Sequence, residues 1–136
     1  MDVHVVLQPI FDKNMQVFAY EMLYRKDLVL DDGKYNTAVS PQKIVDTIFT
    51  YGMKKLCGDK PCFVSFTKKL IDLEIYTLLN PEQIYIEILE PIEIDENITK
   101  KLKDLKNLKY NLIFGDFIFQ DTYSTLIDFA NFIKIN

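Results

Sequence analysis

The sequence predicts an α/β fold, in which an antiparallel hairpin is followed by helices alternating with parallel strands to make an incomplete barrel. Three observations carry that expectation. Two strand-like runs at the N-terminus are separated by the polar turn Asp12-Lys13-Asn14. Beyond them, short β-branched or aromatic runs alternate with segments whose apolar residues recur at helical spacing, an order that right-handed crossovers turn into a parallel sheet. The chain has 136 residues, 49% of them apolar, which is the length of one domain with enough apolar surface for a core.

The elements follow in order. Val3 to Phe11 is apolar and β-branched, and Met15 to Tyr24 is its hairpin partner. In the second strand Val17, Ala19, Glu21, Leu23 and Arg25 share one face, while Phe18, Tyr20, Met22 and Tyr24 share the other. A carboxylate and a guanidinium in such a run need partners, so Glu21 and Arg25 point into a site or into a structural ion-pair network. Lys26 to Val39 lacks periodicity and reads as a long loop. Ser40-Pro41 opens a helix over 41–56, with Ile44, Val45, Ile48, Phe49 and Leu56 on one face and Gly58 as its stop.

A strand over 62–66 leads through Thr67, a candidate N-cap, into a helix over 68–79 that Asn80-Pro81 ends. The strand over 84–89 sets Ile84, Ile86 and Ile88 against Tyr85, Glu87 and Leu89, so one face suits a helix layer and the other carries a carboxylate. Asp95 caps a helix over 96–106, whose lysines form its wet face. A strand over 111–115, a helix over 122–130 and a strand over 132–136 complete the order.

Composition narrows the function. A net charge of -4 with both signs interspersed provides no basic surface for a nucleic-acid backbone. Cys57 and Cys62, with His4 as the only histidine, lack the spacing of a soft-metal site and read as two thiols in a reducing cytoplasm. Neither a signal peptide nor a membrane-spanning run is present, so a soluble, cytoplasmic protein is expected.

The polar residues at inward positions or at the C-terminal ends of strands are Glu21, Arg25, Ser65, Glu87, Asp116, Lys134 and Asn136. Folds of this kind assemble their sites there. Carboxylates without histidine or thiolate favour magnesium or manganese, and arginine with lysine suits a phosphate. Metal-assisted phosphodiester hydrolysis is the chemistry that such a set would support.

Gln8-Pro9-Ile10 followed by Tyr20-Glu21-Met22-Leu23-Tyr24-Arg25 resembles the opening of EAL domains, the cyclic-di-GMP phosphodiesterases of bacterial signal transduction, most of all the EAL-HDOD branch. Phe63-Val64-Ser65-Phe66-Thr67 falls at the family's asparagine-bearing strand, and Ile86-Glu87-Ile88-Leu89-Glu90 at its second glutamate motif. Gly115-Asp116-Phe117 falls at its paired aspartates, and Ile133-Lys134-Ile135-Asn136 at its Lys-Ile-Asp motif. The resemblance covers the whole chain and implies a TIM-like barrel, of which 1–136 is one partial domain. It implies metal roles for Glu21, Glu87 and Asp116, ligand contacts for Gln8 and Arg25, and the catalytic lysine's place for Lys134.

The departures from the family bear on activity. Ser65 stands for the asparagine, Gly115 for the first aspartate and Asn136 for the last. Gly115 has no side-chain ligand atom, Ser65 is a weaker oxygen donor, and the family's further glutamates do not follow Asn136. Three readings stay open: a degenerate EAL-type module that binds a ligand or protein without catalysis, a metal-dependent phosphodiesterase or a fragment of one, and a structural half-barrel without ligand. The first is favoured. It carries no resident cofactor, with magnesium or manganese needed only if the chain is active, and its partners would be cyclic-di-GMP, a protein or a missing C-terminal domain. An apolar edge strand bearing Ile133 and Ile135 further predicts a homodimer.

Overall fold

The computed structural model describes residues 3–26, 46–48 and 52–135. Its described elements are of the α/β class, with an antiparallel hairpin first and parallel strands alternating with helices after it. The chain divides into two compact units, Met1–Val64 and Ser65–Asn136.

In the first unit β1 (Val3–Phe11) and β2 (Val17–Lys26) pair antiparallel, with Gln8 opposite Glu21 and a register shift at Ile10/Phe11. The turn between them is built by Asp12, whose Oδ1 accepts from the amides of Asn14 at 2.8 Å and Gln16 at 3.0 Å. β2 then pairs in parallel with β3 (Cys62–Ser65), setting Glu21 beside Phe63. Ala19, Met22, Cys57, Cys62 and Val64 are buried in this unit.

Most of the loop predicted over 26–39 and the Ser40-Pro41 helix start lie outside the described residues. Residues 46–48 are helical, yet the helix predicted over 41–56 does not run unbroken to its end. Gly52 takes φ 74°, a left-handed conformation open to glycine, and a separate short helix, α1 (Met53–Cys57), starts after it. Cys57 and Cys62 are not disulfide-bonded. The Cys57 thiol is held below its ordinary pKa by a hydrogen bond with Cys62, against an opposing effect of burial.

In the second unit the Thr67 hydroxyl caps α2 (Lys68–Asp72) as predicted, accepting from the Leu70 amide at 3.3 Å. The helix predicted over 68–79 stops early. Glu74 sits at φ 55°, which no α-helix tolerates, and a 3-10 turn over Ile75–Leu78 replaces the remainder. β4 (Ile84–Ile88), β5 (Leu112–Gly115) and β6 (Phe132–Lys134) pair in parallel in that order.

Between β4 and β5 lies α3 (Glu96–Asn107), capped by Asp95, whose Oδ1 accepts from the Ile98 amide at 2.7 Å. Ile98, Leu102 and Leu105 are its buried stripe. The Tyr110 hydroxyl donates to the Tyr76 carbonyl at 2.5 Å, and burial pushes its pKa up to about 12. The segment predicted as a helix over 122–130 is 3-10 over Asp121–Phe129. Among the described residues no helix is long and apolar enough to cross a membrane.

Candidate functional site

β4 places its side chains alternately, and each neighbour in a parallel register points the same way. Glu87 aligns with Ile113 of β5, Ile113 with Phe132 of β6, and Gly115 with Lys134. Tyr85, Glu87, Ile113, Gly115, Phe132 and Lys134 therefore share one face. Ile84, Ile86, Ile88, Leu112 and Phe114 share the other and are buried.

Glu87 is fully buried at 0% exposure, which a carboxylate tolerates only when its charge is met. Ser65 Oγ donates to its Oε1 at 3.5 Å, and Lys134 Nζ stands 3.9 Å from its Oε2. The Lys134 side chain is 41% exposed, so the pair joins a dry carboxylate to a cation that water still reaches. The strand itself is anchored there by the Phe66 amide, which donates to the Glu87 carbonyl at 2.8 Å.

Gly115 lies at the end of β5 on this same face. A Cβ there would stand 2.7 Å from the Leu89 carbonyl oxygen and 3.3 Å from Phe117, although the backbone, at φ -69°, suits any residue. Glycine is thus required by a close approach rather than by its torsion angle. Asp116 follows on a 3-10 turn over Asp116–Phe119 and is exposed.

Three of the residues singled out in the sequence, Ser65, Glu87 and Lys134, are brought into one cluster with Gly115 beside them. In the first unit, Gln8 is exposed and lies opposite Glu21, which is 6% exposed. Arg25 is in β2 opposite His4. Asn136 lies outside the described residues. Among those described, no group of three or more His, Cys, Asp or Glu side chains is placed to hold a metal ion.

Two features of the face were not singled out in the sequence. Tyr85 and Phe132 stack with ring centroids 6.1 Å apart and planes at 21°, one strand position behind Glu87 and Lys134 on their face. The signal was present in the alternation, since each aromatic precedes its charged residue by two. The Leu89 carbonyl has no such signal, because a backbone contact across strands leaves no trace in residue type.

The fold is that of EAL domains. The EAL enzyme Bd1971 in its cGMP-bound form matches 98% of this chain and 45% of its own, with TM-score 0.61 at 19% identity. The phosphodiesterase PaMucR in complex with c-di-GMP matches 98% of this chain and 65% of its own, with TM-score 0.56 at 13% identity. An EAL domain protein from Listeria monocytogenes EGD-e gives TM-score 0.55 at 15% identity over 98% of this chain and 62% of its own.

In sequence the chain is 34% identical over 145 residues to YuxH of Bacillus subtilis (strain 168), an uncharacterised protein, covering 100% of this chain and 35% of YuxH. It is 23% identical over 141 residues to the cyclic di-GMP phosphodiesterase CdgJ of Vibrio cholerae serotype O1, covering 98% of this chain and 31% of CdgJ. The chain thus spans about a third of the length of these curated relatives. No protein-family profile matches it.

Proposed function

We propose that residues 1–136 are part of one EAL-type domain that serves cyclic-di-GMP signalling in the bacterial cytoplasm as a binding module, without hydrolysing the dinucleotide. The observation that carries this reading is the state of the Glu87 cluster. The carboxylate assigned to a metal is met by Ser65 and Lys134, and the position of the family's first aspartate is a glycine whose Cβ direction is blocked by the Leu89 carbonyl. Two-metal hydrolysis needs a carboxylate shared between ions, and Gly115 offers none. Gln8 and Arg25 take the ligand in this reading, with the guanidinium on a phosphate. A second copy of the chain is the proposed protein partner, joined along β6.

The alternative is a metal-dependent phosphodiesterase, favoured by the similarity to CdgJ together with the retained Glu21, Glu87, Asp116 and Lys134. Two measurements decide. Calorimetric titration with cyclic-di-GMP is expected to give binding that Arg25→Ala weakens, and turnover assays with excess magnesium or manganese are expected to give no product. Hydrolysis that disappears in Glu21→Ala would establish the phosphodiesterase instead. Neither binding nor hydrolysis would leave the structural half-barrel.

A further inference from the structure

Cys57 closes α1 and Cys62 opens β3, and Gly58-Asp59-Lys60-Pro61 form the turn between them. Gly58 takes φ 65°, which glycine adopts without strain, and its amide donates to the Lys54 carbonyl at 2.8 Å. The Lys60 amide donates to the Cys57 carbonyl at 3.1 Å, and the Pro61 carbonyl accepts from the Tyr20 amide of β2 at 3.0 Å. The turn is thereby pinned at both ends, and the Cys62 thiol meets the Cys57 sulfur in a hydrogen bond. Both cysteines are buried, at 3% and 0% exposure, while Gly58, Asp59 and Lys60 are exposed.

From this juxtaposition we infer that Cys57 and Cys62 are a redox pair, which hydrogen peroxide converts to an intramolecular disulfide and a small thiol returns to the dithiol. A disulfide needs two cysteines whose backbones lie close and whose side chains point toward one another, and a thiol–thiol hydrogen bond across a pinned turn meets both conditions. Burial by itself would leave the thiols inert, but the bond from Cys62 favours the Cys57 thiolate and holds its pKa below the ordinary thiol value. Cys57 is therefore the attacking sulfur. Its thiolate attacks one peroxide oxygen, the O–O bond breaks, and the departing hydroxide takes up the proton released by the thiol, leaving water and a sulfenic acid. The Cys62 sulfur then attacks the Cys57 sulfur, the S–O bond breaks, and the hydroxyl leaves with the Cys62 proton as a second water. Two electrons pass from the thiol pair to the peroxide. Burial selects a small oxidant, because a protein disulfide has no room to reach sulfurs that solvent scarcely touches. The bridge fixes the end of α1 to the start of β3, one register position from the Glu21–Phe63 pair of β2 and β3.

The inference stands apart from cyclic-di-GMP binding and hydrolysis, and its test involves neither. The full chain is treated with hydrogen peroxide, denatured, alkylated with iodoacetamide and mapped by mass spectrometry, for wild type, Cys57→Ala and Cys62→Ala. Wild type is expected to lose both alkylatable thiols together, to yield a peptide joined through Cys57 and Cys62 with a mass lower by two hydrogens, and to regain both thiols with dithiothreitol. Cys62→Ala should stop at a Cys57 sulfenic acid that dimedone traps. Cys57→Ala should react with peroxide at least about tenfold more slowly than wild type, because the attacking sulfur is gone. Sulfinic or sulfonic acid at either cysteine of the wild type in place of the bridge would overturn the inference. Disulfides between two chains, or thiols that survive a peroxide excess which oxidises glutathione completely, would overturn it as well. If an alanine variant does not fold, the wild-type map decides by itself.

Discussion

Gly115 shows how much one missing side chain can decide. Its backbone angles are ordinary, so the usual reason for a glycine is absent, and the Leu89 carbonyl oxygen 2.7 Å from its Cβ direction supplies another. Gly115→Ala is expected to cost about 1–3 kcal/mol, because the contact is with backbone and cannot be relieved by turning a side chain. Gly115→Asp, which introduces the residue type that the resemblance to EAL domains implies at this position, should destabilise at least as much and should not produce metal-dependent hydrolysis of cyclic-di-GMP. Denaturant unfolding of both variants, with a turnover assay on the second, checks this. A stable Gly115→Asp variant with wild-type unfolding would show that β4 and β5 can separate more easily than the contact implies.

At the scale of the element, α3 obeys local rules at both ends. Asp95 caps its start, and its carboxyl is held below the usual carboxylate range, chiefly by the hydrogen bond it accepts from the Ile98 amide. At the other end the Tyr110 amide donates to the Leu105 carbonyl at 3.1 Å and the Lys109 amide to the Lys106 carbonyl at 3.0 Å, the paired bonds of a Schellman ending. That ending puts Lys109 at φ 72°, where a Cβ is strained. Lys109→Gly is therefore expected to stabilise the protein by about 0.5–1 kcal/mol, the relieved strain exceeding the extra backbone entropy of glycine in the unfolded chain. Urea denaturation measures it, and a destabilised variant would mean that the lysine side chain contributes more than its backbone costs. Two of the elements that departed from expectation, the helices expected over 41–56 and 68–79, did so for the same kind of reason. Gly52 and Glu74 take positive φ and interrupt helices whose apolar periodicity continued past them.

At the scale of the whole molecule, the prediction concerns β6. Among the described residues it pairs only with β5, and it presents Phe132 at 41% exposure, followed by Ile135 at 71%. An open strand edge with exposed apolar side chains favours pairing with another chain. Sedimentation analysis is expected to show a dimer that Ile135→Lys dissociates, whereas a concentration-independent monomer would remove the homodimer from the proposed function. The sequence alone determined the class of the fold, since turn residues, caps and the change from alternating to helical periodicity are local signals that each short segment carries by itself. It also singled out Ser65, Glu87, Gly115 and Lys134 as separate positions. Only the tertiary structure decided that they act on one another. Register aligns Gly115 with Lys134, the Leu89 carbonyl closes the Cβ direction of Gly115, and burial leaves Glu87 in need of partners such as Ser65 and Lys134. None of these can be read from residue type, because register, close backbone approach and desolvation are properties of segments that lie far apart in the chain and are brought together only by folding.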